Sequence, residues 1–288
     1  MVVQQLINGI TQGSIFALLA ISFAVIYGVL RLVNFATGAT YMMGAFAGWL
    51  TVQYVSQNIF LAMLAGLVTG WCIGFLIEKV AIKSLRGVAR IASLICTIGF
   101  SIFMIEIATV VFGAETKAMP SFFNEKAFTL GGASVVWYQV FLICTAITIL
   151  VLLQLLIFKT KAGLAIRTVS LDFKTAGLMG INVDRTISLA FSLGGATAGI
   201  AGVLGSVYYN IVNPTMGNLQ GLKSFSAAVF GGLTSIPGAI LGGYLLAIVE
   251  NFGVQIVSGG YRDIIGFVIL VGFLLFRPRG LLGKKASL

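Results

Sequence analysis

Two carboxylates inside long apolar runs are the first residues in this sequence that could do chemistry. The 288-residue chain has no histidine and eight Asp and Glu residues in total, and Glu106 and Glu250 fall well within apolar segments. Because an ionisable group is costly in apolar surroundings, such a residue is by default a functional hypothesis, here a proton relay. A structural role, in which Asn251 or nearby helix ends satisfy the carboxyl group, is equally open for Glu250. Glu106 is interpreted as structural, because no cation lies near it in the sequence.

A second group of polar and small residues separates the first two apolar runs, just after Arg31. Hydroxyl and amide side chains of this kind can contribute hydrogen bonds to a solute path, or they can break a helix at the edge of a membrane. The sequence leaves both interpretations open. The group consists of Asn34, Thr37, Gly38, Thr40 and Tyr41.

Several other kinds of chemistry are excluded by what the chain lacks. Without histidine there can be no His-based acid–base catalysis and no His-containing metal site, and no GxxxxGK[ST] phosphate-binding loop occurs. We therefore expect no catalytic site, no cofactor and no ATP hydrolysis in this chain by itself. The net charge of +10 does not predict a nucleic-acid partner, because the Lys and Arg residues lie between apolar runs.

The composition is typical of a protein embedded in lipid. Hydrophobic residues form 59% of the chain and charged residues 9%, the mean hydropathy is +1.06, and runs of about 20 apolar residues can each cross about 30 Å of hydrocarbon. We predict an all-α polytopic integral membrane protein in which residues 1–288 form one transmembrane domain with about eight or nine membrane segments. The predicted segments are 6–30, 35–55, 59–77, 91–112, 136–158, 187–211, 224–233, 237–257 and 264–276.

The positions of the cations predict an orientation. Of the 18 Lys and Arg residues, most lie on alternate connections, which the excess of cations on cytoplasmic loops assigns to the cytoplasm. The C-terminus is then cytoplasmic and the N-terminus outside, which requires an odd number of crossings. The cations assigned to the cytoplasm are Arg31, Lys79, Lys83, Arg86, Arg90, Lys159, Lys161, Arg167, Lys174, Arg185, Arg277, Arg279, Lys284 and Lys285, and those left on the outer face are Lys117, Lys126, Lys223 and Arg262.

Glycine and proline interrupt residues 224–243, SFSAAVFGGLTSIPGAILGG. The run 224–233 is too short for a full crossing, so we predict a broken or re-entrant helix, which membranes tolerate where it lines a cavity or is buried in protein. The candidate residues of a translocation path are Asn34, Thr37, Tyr41, Gly231, Gly232 and Glu250.

Glycines also recur four residues apart along several runs. Such spacing allows helix backbones to pack closely in a membrane. The clearest examples are Gly66, Gly70 and Gly74 in one run and Gly195 and Gly199 in another.

Residues 159–186 contain a basic, amphipathic stretch in an otherwise apolar chain. Its sequence from Lys159 to Arg185 is KTKAGLAIRTVSLDFKTAGLMGINVDR, in which glycines break helix-compatible pieces and apolar residues alternate with charges. A short amphipathic helix that lies in a groove of another protein fits this pattern. The alternative is an ordinary basic loop on the cytoplasmic side.

Four stretches of the chain carry a family resemblance. They are NGITQGSIFALLAISFAVIYGVLRLVNFATGATYMMGAF from Asn8, LICTIGFSIFM from Leu94, GLAIRTVSLDFKTAGLMGINVDR from Gly163 and YRDIIGFVILVGFLLFRPRGLLG from Tyr261. These stretches resemble the inner-membrane permease subunits of branched-chain amino acid ABC importers, a family that also includes urea and neutral or amide amino acid systems. The likeness covers nearly the whole chain, and the last two stretches are the most specific.

This resemblance implies a transport subunit of the bacterial inner membrane that has no ATPase site of its own. Its implied partners are a second and usually different permease, two ATPases that bind ATP and magnesium, a periplasmic substrate-binding protein and membrane lipid. The stretch 159–186 corresponds to the loop that rests on the ATPase and transmits its motion. The candidate coupling residues are Gly163, Arg167, Asp172, Ala176, Leu178 and Gly180.

One departure from the family pattern lies after the first helix. The family commonly has Asn-Phe-Ala-His-Gly-Glu there, whereas this chain has Thr37 and Ala39 in place of the histidine and the glutamate. The resemblance implies a branched-chain or other neutral amino acid as the substrate. If the missing groups contact or couple to substrate in the family, the departure implies a different ligand or a weaker coupling route. The alternative function is a secondary carrier or channel that works alone and uses Glu250.

Overall fold

A computed structural model describes residues 2–85, 90–123, 125–130, 133–256, 262–277 and 280–282 of the chain. The apolar runs form helices, because a helix satisfies its backbone N–H and C=O groups within one segment. The helices are α1 (Val2–Leu30), α2 (Thr37–Leu50), α3 (Ile59–Ile77), α4 (Arg90–Phe112), α5 (Trp137–Lys159), α6 (Lys161–Leu171), α7 (Phe173–Leu178), α8 (Val183–Tyr209), α9 (Met216–Gly231), α10 (Ile236–Ile256) and α11 (Arg262–Phe276).

Helices α1 and α8 form the centre of the bundle. Most residues of α1 from position 9 to 26 and of α8 from position 186 to 207 are buried. Helices α4 and α5 instead expose large apolar side chains, among them Ile95, Val110 and Leu152. An apolar face of this kind is stable against lipid or against another membrane subunit.

The close packing predicted from the glycine spacing is confirmed where α3 crosses α8. A Cβ atom added to Gly70 would overlap the backbone of Gly195, and one added to Gly199 would overlap the backbone of Gly66. Because glycine has no side chain, the two backbones can approach closely and bring many atoms into van der Waals contact.

One end of the bundle carries the short strands. The N-terminal part of α1 reaches this end, since the Gln4 side-chain oxygen accepts a hydrogen bond from the Ser134 N–H at 3.0 Å. The strands were not predicted, because segments of two to five residues show no usable periodicity. They form two antiparallel pairs, β1 (Lys117–Ala118) with β4 (Ile211–Val212) and β2 (Lys126–Leu130) with β3 (Ala133–Val136).

The opposite end, here called the basic end, gathers connections that the cation count assigned to one side of the membrane. Lys83, which follows α3, forms an ion pair of 3.3 Å with Asp184 at the start of α8. The end of α1, the corner between α5 and α6, and the turn between α9 and α10 line one cavity there. The Leu281 N–H, beyond α11, donates to the Phe230 carbonyl oxygen.

The number of membrane segments is only partly supported. Six helices in the described residues are long and apolar enough to cross a membrane: Val2–Leu30, Ile59–Leu85, Ile91–Phe112, Trp137–Lys159, Val183–Tyr209 and Ile236–Gln255. Helices α2, α9 and α11 contain 14, 16 and 15 residues. The chain is thus a mostly helical, multi-pass membrane protein, and the total of eight or nine segments stays a prediction.

The assignment of Lys223 to the outer face is wrong. Lys223 lies in the middle of α9, and its side chain is only 4% exposed because it pairs with Glu250. The sequence interpretation started this helix at residue 224, whereas α9 begins at Met216. Other cations used in the count lie outside the described residues, namely Arg86, Arg279, Lys284 and Lys285, together with the side chains of Arg90 and Arg262.

Candidate functional site

The polar group after α1 folds into the start of α2, inside the bundle. Asn34 is 3% exposed; its side-chain oxygen accepts from the Ala36 N–H at 3.1 Å, and its main-chain oxygen accepts from the Thr37 hydroxyl at 2.9 Å. Local side-chain hydrogen bonds of this type stabilise the turn into a helix. The structure therefore brings Asn34 and Thr37 together, beside a small gap that Gly74 and Phe191 also line.

Tyr41 lies one turn further along α2 and is fully buried. Its ring packs against α8, where a Cβ atom added to Gly205 would overlap the hydroxyl oxygen. That hydroxyl has no hydrogen-bond partner among the described residues. Of the predicted path residues, Tyr41 thus belongs to a helix contact.

A groove of about 220 Å³ lies between α1, α2, α4 and α9, next to the start of α2. Its walls are mainly apolar, and two polar residues, Ser101 on α4 and Asn218 on α9, were missed in the sequence because each is a single polar residue beside apolar neighbours. The described lining residues are Phe23, Phe35, Gly38, Ile98, Ser101, Ile102, Gly217, Asn218, Gly221 and Leu222.

The first turns of two helices meet at this groove. Gly38 lies in the first turn of α2 and Gly217 in the first turn of α9, and a Cβ atom on either glycine would overlap the carbonyl group of the other. The N-terminus of a helix carries a partial positive charge. The groove therefore combines apolar walls with the positive ends of two helix dipoles.

Glu250 forms a buried ion pair with Lys223. The Lys223 Nζ donates to the Glu250 Oε2 at 3.1 Å, and the two side chains are 4% and 0% exposed. This pair links α9 to α10 inside the bundle. The sequence did not indicate this ion pair, because the two residues lie on different helices and Lys223 was assigned to the outer face of the membrane.

Polar side chains surround this ion pair. The Gln12 amide donates to Glu250 Oε2 at 3.5 Å and to the Tyr209 hydroxyl at 3.3 Å, and the Asn251 amide donates to Gln12 Oε1 at 2.8 Å. The ion pair and these bonds join α1, α8, α9 and α10. These contacts support the structural interpretation of Glu250, with Lys223 as a partner that the sequence did not indicate.

Glu106 lies in a different setting. It is exposed on α4, on the same face as the exposed apolar residues Ile102 and Val110. The two carboxylates singled out in the sequence are therefore not brought together.

The helix break expected within residues 224–243 lies between α9 and α10, over residues 232–235. Gly231 ends α9, and Gly232 has a φ of +105°, a backbone conformation that favours glycine. A Cβ atom on Gly231 would overlap the Gly238 carbonyl. Both predicted glycines thus lie in a tight turn at the basic end, and neither is among the residues that line the groove.

The stretch 159–186 folds into α6 and α7. The Thr160 hydroxyl accepts from the Gly163 N–H at 3.1 Å and so caps α6. Gly163 is buried against the end of α5, where a Cβ atom would overlap the Leu156 and Ile157 carbonyl oxygens. Gly180, with a φ of +81°, allows the turn that follows α7.

Three large apolar side chains of this stretch are strongly exposed beside charged residues. Leu171, Leu178 and Met179 are 86%, 89% and 74% exposed, and we call these three residues the docking patch. Ala176 is fully buried beneath it. Exposed apolar patches are typical of surfaces that interact with another protein, with a membrane or with a ligand.

Arg167 and Asp172 do not belong to the docking patch. The Arg167 guanidinium lies over the Phe158 ring, 5.4 Å from its centre, and donates to the Phe158 carbonyl oxygen at 3.4 Å. Asp172 caps α7 by accepting from the Thr175 hydroxyl and the Lys174 N–H. These hydrogen bonds, chiefly that from Thr175, hold the pKa of Asp172 below its ordinary value.

Comparison with known proteins places the chain in a family. The family described as branched-chain amino acid transport system / permease component matches residues 5–274. The chain belongs to this family. The permease is 36% identical to the high-affinity branched-chain amino acid transport system permease protein BraD of Pseudomonas aeruginosa and also 36% identical to LivH of Escherichia coli K12. Each alignment covers 98% of this chain and 95% of the relative.

Solved structures show the same fold at low sequence identity. An inward-facing conformation of a transporter described as a metal-chelate type ABC transporter is 18% identical, with a TM-score of 0.52 over 94% of the permease and 87% of that chain. PsaBC from Streptococcus pneumoniae, in complex with a Fab, is 12% identical, with a TM-score of 0.51 over 94% and 91%. These likenesses support the overall helical fold of the permease.

Proposed function

We propose that this permease moves branched-chain or other neutral amino acids across the inner membrane of a bacterium as one half of an ABC importer. The family match over residues 5–274 carries the proposal, and BraD and LivH are both described as permeases for branched-chain amino acids. The partners are a second, different permease, two ATPases that bind ATP and magnesium, and a periplasmic substrate-binding protein.

In this proposal the groove between α2, α4 and α9 is part of the translocation path. An amino acid crosses as a zwitterion that carries an apolar side chain. Its carboxylate would be stabilised by the helix N-termini at Gly38 and Gly217, and its side chain would contact Phe23 and Phe35. Asn34 and Thr37 hold the start of α2 in position, while Tyr41, Gly231, Gly232 and Glu250 act away from the groove.

The two departures from the family pattern fit an uncharged path. Thr37 and Ala39 are 2% and 1% exposed, so a histidine and a glutamate at these positions would place ionisable groups inside the bundle. Without them the start of α2 offers dipoles and hydroxyl groups only. A neutral amino acid needs no further charge in the path, which agrees with the proposed substrate class.

The docking patch is proposed to contact the ATPase. Leu178 would make that contact directly, whereas Gly163, Ala176 and Gly180 shape α6 and α7 beneath it. Asp172 keeps α7 capped, and Arg167 joins α6 to α5. Coupling of ATP hydrolysis to transport then requires that the contacts between the ATPase and this stretch differ between the ATP-bound and ATP-free states.

The orientation follows from the same contact. An ATPase binds from the cytoplasm, so the basic end faces the cytoplasm and the strands face the periplasm. Helix α1 begins at the strand end, which puts the N-terminus outside, and the segment after α11 lies at the basic end. This arrangement agrees with the excess of cations on cytoplasmic connections.

The function can be tested with the importer assembled from its co-purified subunits. In the Leu178→Glu variant the docking patch becomes charged, and we expect ATPase subunits to be lost from the purified complex together with ATP-driven amino acid uptake into liposomes. Leu178→Met is the matched control, because it keeps an apolar side chain of similar size. A Leu178→Glu complex that retains its ATPases and its uptake would refute the docking proposal.

The same preparation tests the alternative of a carrier that works alone. A buried carboxylate at Glu250 is the observation that favours a carrier, and the adjacent Lys223 cation argues against it, since the pair carries no net charge. Transport by the chain alone in liposomes, driven by a proton gradient and without ATPases, would overturn the importer proposal.

A further inference from the structure

A cavity of about 290 Å³ at the basic end lies apart from the groove and from the docking patch. It opens between the last turns of α1, the end of α5, the membrane side of α6 and the turn that precedes α10. Most of its wall is apolar, and we call it the arginine cavity after its two charged residues. The apolar lining residues are Ala24, Val25, Val29, Ile157, Phe158, Ile166, Ile236 and Pro237.

The charge in this cavity is positive. Arg31, just after α1, and Arg167, on α6, both line it, and none of its described lining residues is acidic. The Arg167 Nε has no hydrogen-bond partner in the described part of the protein, and its Nη2 makes only a long bond of 3.4 Å. A guanidinium has five N–H donors. Two guanidinium groups beside one apolar cavity, whose described lining contains no carboxylate, favour an anionic ligand.

The backbone holds Arg31 in an unusual conformation. Its φ is +56°, in the left-handed region that residues other than glycine rarely adopt, and its N–H donates to the Tyr27 carbonyl oxygen at 2.8 Å. Such a conformation is unfavourable for a residue with a side chain, and positions of this kind cluster at binding sites. This backbone conformation places Arg31 at the end of α1, where it lines the cavity.

The position of the cavity along the membrane normal favours a ligand that has both an anionic and an apolar part. Helices α1 and α5 are both long enough to span the membrane and end at this level, so the cavity lies at the boundary between hydrocarbon and water. Most of the described lining is apolar, while the arginines and the hydroxyl groups of Ser170 and Thr234 provide polar contacts. Basic pockets between membrane helices on the cytoplasmic side bind anionic headgroups.

We infer that the arginine cavity binds the phosphate headgroup of an anionic phospholipid. The planar guanidinium groups of Arg31 and Arg167 match a phosphate geometrically and bind it through paired N–H donors. The lipid would contact α6 from the membrane side, while the docking patch lies on the exposed side of the same stretch. The inference rests on the orientation given under the proposed function, on the cavity and on its charge, and its test does not require transport.

The test is a binding titration on the full-length permease, purified with its accompanying subunits in mild detergent. Native mass spectrometry would count bound dioleoyl phosphatidylglycerol and, separately, dioleoyl phosphatidylcholine. We expect phosphatidylglycerol to bind at least tenfold more tightly. Arg31→Gln and Arg167→Gln should each weaken its binding about tenfold, because each removes charge-assisted hydrogen bonds. Arg185→Gln is the charge control, since Arg185 is exposed at the same end and does not line the cavity.

A second variant blocks the cavity without altering its charge. Gly28 lines the cavity, and a Cβ atom added there meets nothing within 4 Å. Gly28→Leu should therefore fold normally, occupy the space and abolish phosphatidylglycerol binding. Gly99→Leu is the matched control, because Gly99 on α4 also faces open space and lies outside the cavity.

Three results would overturn the inference. The first is equal binding of the two lipids, and the second is unchanged phosphatidylglycerol binding in the Arg31→Gln, Arg167→Gln and Gly28→Leu variants. The third is complete displacement of the lipid by millimolar inorganic phosphate, which would identify free phosphate as the ligand.

Discussion

Replacing Lys223 by methionine removes the cation that faces Glu250 while keeping a side chain of similar length. The Lys223 Nζ and the Glu250 Oε2 are 3.1 Å apart, and both side chains are buried. In the variant the carboxylate either stays charged without its cation or takes up a proton. Both outcomes destabilise the folded bundle, because neither reproduces the ion pair.

The size of the effect follows from the distance and the burial. Two unit charges 3.1 Å apart attract each other by about 5 kcal/mol at an effective dielectric constant near 20. Removing one partner of a buried pair typically costs about 3–5 kcal/mol. The Gln12 amide compensates little, since it lies 3.5 Å from the Glu250 Oε2. We therefore expect Lys223→Met and Glu250→Gln each to destabilise the permease by about 4 kcal/mol.

The assay is a double-mutant cycle on the purified permease in one detergent. Unfolding free energies of wild type, Lys223→Met, Glu250→Gln and the double variant give the coupling energy directly. The double variant should recover most of the loss, because it buries no uncompensated charge. Glu106→Gln is the control; this carboxylate is exposed on α4, and its loss should change stability by less than about 0.5 kcal/mol.

Either of two results would refute this reasoning. Single variants as stable as wild type would mean that the pair does not stabilise the fold, and additive losses in the double variant would mean that the two residues act independently. The double variant also bears on the alternative function. If it folds and transports, Glu250 is no proton relay, whereas a folded double variant without uptake would give the network a role in transport.

Three further predictions concern α7 and the glycine contacts. Asp172→Ala should weaken ATPase binding in a pull-down because it uncaps α7, whereas Asp172→Asn should retain binding, since asparagine also caps helices. The pKa of the Asp172 carboxyl lies below its ordinary value of 3.8. The stabilisation of α7 by this carboxylate should therefore be present throughout pH 5–8 and should disappear only as the pH falls below 3.8. Gly180→Ala should lower the unfolding free energy by about 1 kcal/mol through its φ of +81°, a loss that Gly180→Asn should partly avoid. Gly195→Val should destabilise the bundle by about 3 kcal/mol because it overlaps α3, while Gly99→Val, facing open space, should leave the melting temperature nearly unchanged.

Features that depend on local sequence could be predicted from it. The apolar runs indicated the helices, the four-residue glycine spacing indicated close packing of helix backbones, and the stretch 159–186 indicated short amphipathic helices, which are α6 and α7. Each of these rests on properties of a single segment, namely its hydropathy, its glycines or its charges. Gly180 is an example, because its place after a short helical piece already favours a left-handed turn.

Features that join distant segments could not be predicted. Lys223 was assigned to the outer surface by counting charges, since the sequence does not reveal that a carboxylate 27 residues later neutralises it inside the bundle. The coupling role of Arg167 stays a prediction from the family resemblance, and only the fold shows that its guanidinium lies over Phe158 and lines the arginine cavity. The groove likewise could not be predicted, because it exists only where α1, α2, α4 and α9 lie side by side.

The sequence by itself therefore determined a multi-pass membrane protein of the permease family and the position of the basic, amphipathic stretch that forms α6 and α7, because hydropathy and motif act within short stretches of chain. Only the tertiary structure decided which charges are paired, which glycines touch and where the cavities lie. The physical reason is that burial and distance belong to pairs of residues on different helices. Those pairs are selected by the packing of the whole bundle, in which each buried charge must find a partner.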